Sequence, residues 1–207
     1  MTRAADIAQI SPDVLYFGTP VAVLSSLNPD GTTNLAALSS FWALGDRLVL
    51  GLTVFGQSAA NLSRHRHCVL NLPSPQQWRA VERLGHTTGR SSLTDYHRSA
   101  GIIYAKDKFA ASGFTALPAQ RVVPARIAEC PVQIEAEVIA LHPASEDAPF
   151  VYIETRKLLV HARRDVLNPS ATRFDIRAWS PLFYVFRHYF GKGSHLGASF
   201  RAAPEAD

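Results

Sequence analysis

Two short stretches concentrate groups able to hold an anion. Ser39 and Ser40 place two hydroxyls directly before the flat pair Phe41 and Trp42, while Gln57, Ser58 and Asn61 bring two amides and a hydroxyl into one short segment. With Ser58 read as the N-cap of a helix, free backbone N–H groups and the positive end of the helix dipole converge on one point, and phosphates bind at such points. A further amide, Asn71, sits inside the apolar run 68–72, where it is costly unless hydrogen-bonded.

Other chemistries lack their scaffolds. No Gly-x-Ser-x-Gly elbow is present for a serine hydrolase. No Gly-x-Gly-x-x-Gly opens a helix after a strand, which argues against a Rossmann domain. Gly191-Lys192-Gly193-Ser194 misses the phosphate-loop spacing, which needs glycine where Phe186 stands and a hydroxyl where Gly193 stands. His65, His67 and Cys68 look like metal ligands, but on a strand Cys68 points away from His67 and no fourth ligand is evident, so no metal site is assigned.

The elements that must position these groups are mostly strands. An apolar strand over 21–27 meets the turn Asn28-Pro29-Asp30-Gly31, strong turn chemistry. A return strand over 33–40 ends in the two serines, and a third over 47–54 leads into a helix over 58–65. A buried strand over 68–72 is stopped by Pro73 and Pro75. Trp78, Val81 and Leu84 share one face of a helix over 76–84. Residues 85–105 read as loop with one helical piece near 92–100, and a second short helix over 106–112 is ended by Gly113. Strands over 132–141, 150–162 and 182–186 follow, the last closing the sheet. The class is therefore mainly β: a Greek-key barrel with a few peripheral helices, in one domain spanning 1–207.

Composition agrees with a compact fold. The 207 residues are 47% hydrophobic and 18% charged, a globular balance. The two cysteines, Cys68 and Cys130, have no Cys-x-x-Cys spacing and read as buried thiols. No apolar run reaches the roughly 20 residues of a membrane span, and residues 1–10 show no signal-type apolar core. The expected address is the cytoplasm, with no membrane partner. The net charge of +4 is scattered, without the block of like charges that marks a nucleic-acid arm.

In these residues the chain resembles the flavin reductase-like family of the FMN-binding split-barrel fold. The matching blocks are Thr19-Pro20-Val21, Asn28-Pro29-Asp30-Gly31, Asn34-Leu35-Ala36, Ser39-Ser40, Gln57 to Leu62, and Val69 to Pro73. Later blocks are Lys108 to Thr115, Ala128 to Val132, Pro181 to Tyr184, and Arg187-His188-Tyr189-Phe190. Two positions depart from the family pattern: Ala37 stands where proline often follows, and Ser58 replaces threonine.

The resemblance implies an FMN-binding oxidoreductase in which NADH or NADPH passes a hydride to the flavin. It implies a homodimer with flavin near the subunit interface, and reduced flavin that stays bound or leaves for a partner oxygenase. It places Gln57, Ser58 and Asn61 at the phosphate, with Asn61 alternatively holding the backbone of the loop, and Ser39 and Ser40 near the ribityl chain and ring edge. The segment containing Asn71 and Leu72 falls beside the ring, and Phe41 and Trp42 are either core aromatics or ring contacts. Arg187 and His188 fall at the active-site rim, with His188 as the catalytic candidate, although a surface cation beside aromatic core fits His188 equally well. Lys106 and Lys108 are weaker candidates for a second phosphate or a nucleotide tail, with solvated surface lysines as the ordinary reading.

Two other functions fit parts of the pattern. A non-enzymatic flavin carrier would keep the phosphate site without a nicotinamide pocket. A nucleic-acid-binding barrel would stack bases on Phe183, Tyr184, Phe186 and Tyr189, but alternation along 182–186 buries about half of these rings, and no nucleic acid is expected.

Overall fold

The computed structural model describes residues 7–145, 148–197 and 199; of the stretch 1–10 read above for a signal core, residues 1–6 lie outside the described residues. In chain order the elements are β1 (Phe17–Pro20), β2 (Ala22–Leu27), β3 (Thr33–Leu38), β4 (Phe41–Leu44), β5 (Arg47–Thr53), α1 (Gln57–Arg64), β6 (His67–Leu72), α2 (Trp78–Gly85) and β7 (Thr87–Thr88). They continue as α3 (Asp95–Ser99), β8 (Ile103–Tyr104), α4 (Lys108–Ser112), β9 (Ala116–Leu117), β10 (Arg126–Ile127), β11 (Val132–Pro143), β12 (Phe150–Ala162), β13 (Phe183–Val185) and β14 (His188–Phe190).

Seven strands form one antiparallel sheet in the order β3-β2-β6-β11-β12-β5-β4. Its two edge strands, β3 and β4, are joined by only Ser39 and Ser40. Three Cα steps reach at most about 11 Å, so the sheet must roll until its edges lie near each other. No ladder joins β3 to β4 among the described residues, and the barrel stays split along that seam. The sequence reading ran β3 straight through the serines; instead Ser39 and Ser40 form the link. Ser40 then extends the β4–β5 ladder, its carbonyl accepting a 2.7 Å bond from the Gly51 N–H.

The first hairpin is set by its turn. Asp30 accepts bonds from Thr32 N (3.1 Å) and Thr32 Oγ1 (2.6 Å). Gly31 adopts φ +82°, a left-handed conformation that glycine takes without a Cβ penalty. This fixes Leu27 opposite Thr33 and Ser26 opposite Asn34.

Residues 21–24 read as a continuous apolar run because the start of β2 is buried on both faces. Ala22 and Leu24 point into the barrel with Leu48, Leu50, Leu62, Leu70 and Ile153. Val21 and Val23 point outward into a second core with Leu35, Val81, Leu84, Phe114, Ile127 and Leu182. Of the helix face predicted for α2, Val81 and Leu84 are buried, whereas Trp78 is 38% exposed and packs on Tyr189 with centroids 6.1 Å apart. Gly113 ends α4 with φ +78°, as the sequence predicts.

The C-terminal strands differ from expectation. β13 does not close the barrel; it pairs with β1 and β14 in a separate three-stranded sheet. Alternating aromatics identify a strand but not its partner. The β13–β14 turn consists of Phe186 (φ 44°) and Arg187 (φ 70°) between the paired Val185 and His188. Two non-glycine residues in this region are strained. The Phe186 N–H to Tyr16 O bond (2.8 Å) and the edge-on contact of Phe186 with Phe17 (5.0 Å) hold the turn in place.

Candidate functional site

The helix-start site is built differently from the sequence reading. Gly56 (φ −78°, ψ 153°) is the N-cap of α1, and no side chain caps the first turn. Ser58 therefore lies one turn-step inside the helix, 6% exposed, and its hydroxyl accepts a 3.1 Å bond from Asn34 Nδ2. The shift has a local cause: the Gly56 N–H bonds Thr53 O at 3.1 Å, so the chain is already turning before the serine. The first N–H groups of a helix have no intrahelical partners, and here no acidic residue opposes an incoming anion within the first turn.

Asn61 fastens this helix to the first hairpin. Its Nδ2 donates to Ser26 Oγ (3.1 Å) and Asn28 Oδ1 (3.0 Å), and its Oδ1 accepts from Gln57 Nε2 (2.8 Å). Asn71 is likewise occupied: Nδ2 donates to Val23 O and Ser25 Oγ, and Oδ1 accepts from the Ile127 N–H at 2.8 Å. It is wholly buried, so its amide joins β6 to β2 and β10. Leu72 is half-buried and packs against the barrel core.

A cleft of about 390 Å³ opens beside Gln57 and is walled by Asn28, Asp30, Gly89, Arg90, Ser91 and Lys106. Gly89 is required by close approach: a Cβ there would lie 2.5 Å from Asn34 Oδ1 and 3.1 Å from the Gln57 side chain. Asn34 Oδ1 is itself buried without a hydrogen-bond partner, so a donor is wanted at that point. Arg90 is half-buried, and among the described residues no protein group bonds or pairs with its guanidinium. Lys106 pairs with Asp30 at 3.5 Å on the outer rim. Gly89, Arg90, Ser91, Ser92 and Tyr104 escaped the sequence reading because the stretch 85–105 has no periodicity. A glycine followed by Arg90 and two serines was the signal available.

The remaining predicted residues fall into two other places. Ser39, Ser40, Phe41 and Trp42 sit at the barrel seam, about 16 Å along β3 from Asn34 at about 3.3 Å per residue. Phe41 turns toward the core, while Trp42 is 55% exposed. Trp42 lies on the outer face of β4–β5–β12 with Tyr152 and Phe150 around the bare Gly51. Arg187 and His188 are exposed at the tip of the β13–β14 hairpin and do not line this cleft. That hairpin is tied to α2 by Tyr189, whose hydroxyl donates to Glu82 Oε2 at 2.9 Å. Lys108, read as a solvated cation, is buried instead, its Nζ 2.5 Å from Thr87 Oγ1.

Comparison with known proteins bears directly on this geometry. A family model described as the flavin reductase like domain matches residues 14–193. The chain is 42% identical over 200 residues to the uncharacterized protein YdfE of Bacillus subtilis (strain 168), covering 94% of this chain and 93% of that protein. Flavoredoxin of Desulfovibrio vulgaris (Miyazaki F) superposes with a TM-score of 0.74 at 18% identity, covering 98% of this chain and 99% of that one. Nitrilotriacetate monooxygenase component B from Bacillus cereus superposes with a TM-score of 0.75 at 13% identity, covering 94% and 100%. The split-barrel fold expected from the sequence is thus shared with solved structures.

Proposed function

The chain belongs to the flavin reductase-like family and is a flavin-linked oxidoreductase; from that premise we propose that it binds FMN and takes a hydride onto it from NADH or NADPH. The observation that carries the choice of FMN is the cradle at the α1 start, where uncapped N–H groups, the bare Gly89 and the unpartnered Arg90 guanidinium meet. A phosphate fits that donor set by charge and by hydrogen bonding. From this end, β3 leads toward Ser39 and Ser40, a distance on the scale of a flavin mononucleotide.

When bound, the flavin supplies the hydride-accepting chemistry, and the protein supplies position and electrostatics. Arg90 and the α1 N–H groups anchor the phosphate, Gln57 and Ser58 shape the cradle, and Asn61 and Asn71 hold the strands that frame it. Ser39 and Ser40 offer hydroxyls at the seam. A homodimer would cover the exposed face of Trp42, Phe150 and Tyr152, an aromatic patch of the kind that marks interaction sites. Reduced flavin then stays bound or passes to a partner oxygenase, with a cytoplasmic nicotinamide pool as donor. No helix among the described residues is long and apolar enough to cross a membrane.

Titration with FMN and riboflavin tests the reading. Charge-assisted hydrogen bonds of about 1.5–3 kcal/mol give FMN at least a tenfold advantage; equal affinities would remove the phosphate cradle. Anaerobic mixing with NADH or NADPH should then bleach the bound flavin, and FMN that binds but resists both donors would make the chain a flavin carrier.

His188 gives a separate expectation. We propose that it reaches the flavin rim from the hairpin tip in an assembled dimer, so His188→Gln should slow flavin reduction about tenfold at unchanged FMN affinity. That is less than the ~10²–10⁴ of a buried general acid, because an exposed imidazole is poorly preorganised. Unchanged single-turnover reduction would leave His188 as a surface cation.

A further inference from the structure

A second cleft, about 740 Å³ in volume, lies over the outer face of the β11–β12 hairpin and shares no lining residue with the cleft beside α1. Gln133 and His161, opposite each other across the β11–β12 ladder, form its floor, flanked by the backbone of Val160 and Ala162. One wall is the β9–β10 hairpin, with Leu117, Arg126 and Ala128; the other is the segment 167–174, ending in Phe174.

Basic side chains dominate its lining. Arg126, His161, Arg163 and Arg173 line it, and the one carboxylate close by, Glu135, lies beneath them with Oε1 4.0 Å from Arg126 Nε. Arg163 is paired with Asp165 at the surface, its Nε and Nη2 donating at 3.0 and 2.8 Å. Arg126 is set deeper: Nε donates to Pro118 O at 3.0 Å and Nη1 to Gln133 Oε1 at 3.0 Å. Gln133 is in turn fixed by bonds to Ile127 O and Cys130 O. The guanidinium is thus oriented in advance, with Nη2 uncommitted among the described residues.

His161 is oriented from below. Its Nε2 lies 2.6 Å from Glu135 Oε1, and Glu135 is fully buried. Burial works to raise the Glu135 carboxyl, but the Gln120 and Arg121 N–H groups and His161 outweigh it and hold it below the ordinary carboxylate range. Both Glu135 oxygens are therefore engaged beneath the floor, and an Nε2–H that donates to Glu135 leaves His161 Nδ1 as an acceptor. Leu117, Leu167 and Phe174 provide apolar surface around these polar groups.

We propose that this cleft binds a small organic anion, an apolar ring or chain bearing a carboxylate or phosphate head that the Arg126 guanidinium receives. Planar guanidinium donors match such heads in pairs, and a mostly apolar lining with a few fixed polar groups is the usual make-up of a small-molecule site. The inference stands independently of the flavin reading, since the two clefts have separate walls.

The test is calorimetric titration of the FMN-loaded protein with benzoate, phenyl phosphate and inorganic phosphate. Benzoate or phenyl phosphate should bind with a Kd of about 1 mM or lower, and inorganic phosphate at least about tenfold more weakly; the better of the two ring compounds identifies the head group. Leu117→Glu, opposite Arg126 across the β9–β10 ladder, places a carboxylate beside the guanidinium and should weaken that binding at least about tenfold at unchanged FMN affinity. Arg163→Gln, an exposed change, should weaken it several-fold and keeps the test alive if Leu117→Glu does not fold. Failure of both ring compounds to bind, or binding indifferent to both substitutions, would overturn the proposal.

Discussion

Arg90→Ala is expected to weaken FMN binding by about 10- to 100-fold while leaving riboflavin affinity unchanged, so that the preference for FMN nearly disappears. The magnitude follows from losing a charge-assisted contact of about 1.5–3 kcal/mol. The fold should tolerate the change, because the Arg90 side chain makes no bond to the protein; only its backbone N–H does, to Thr88 Oγ1 at 3.2 Å. Fluorescence titration with both flavins checks it. A parallel loss for riboflavin would mean that the cleft had collapsed, and no loss for FMN would place the phosphate elsewhere.

Lys108→Met should stabilise the flavin-free protein at pH 7 by about 3 kcal/mol, raising Tm by roughly 5–10 °C. The lysine is 2% exposed and meets only the neutral Thr87 hydroxyl, and burial pushes its ammonium down to about 8 from an ordinary 10.5. For a base depressed in this way, the unfolded chain holds more protons than the folded one between those two values. The cost is therefore full below about pH 8 and is relieved as pH rises to 10.5. The advantage of Lys108→Met should shrink across that window. Thr87 stays satisfied in the variant because its hydroxyl also donates to Leu84 O at 2.8 Å. Comparison with the parent at each pH cancels the opposing effect of Cys68, a buried thiol pushed up to about 12. A pH-independent difference, or a destabilised variant, would show that the amine is neutral or otherwise paired.

Local chemistry made much of this architecture readable. The Asn28–Gly31 turn, the β2–β3 pair, the β11 and β12 strands and the glycine stop after α4 all depend on neighbours in sequence. What was misread depends on distant partners. A serine before a helix is the ordinary cap, and nothing local reveals that Asn34, 24 residues away, takes Ser58. Arg90 became visible only when β7 carried Gly89 against Asn34 and Gln57. Asn71 was correctly suspected of needing a partner, yet two of its three partners, Val23 and Ile127, offer backbone groups that no residue type announces.

The two-serine link between opposite edges of the sheet has a consequence for synthesis on the ribosome. β4 and β5 emerge early, but the strand that pairs with the other side of β5 is β12. That strand arrives about a hundred residues later, roughly 5–20 s at ordinary elongation rates. Until then the hairpin hangs from Ser39 and Ser40 with Leu48, Leu50 and Leu52 uncovered, an unpaired apolar edge open to wrong pairing. Folding of this barrel is thus gated by its own translation, and the nascent chain is the form most in need of a chaperone.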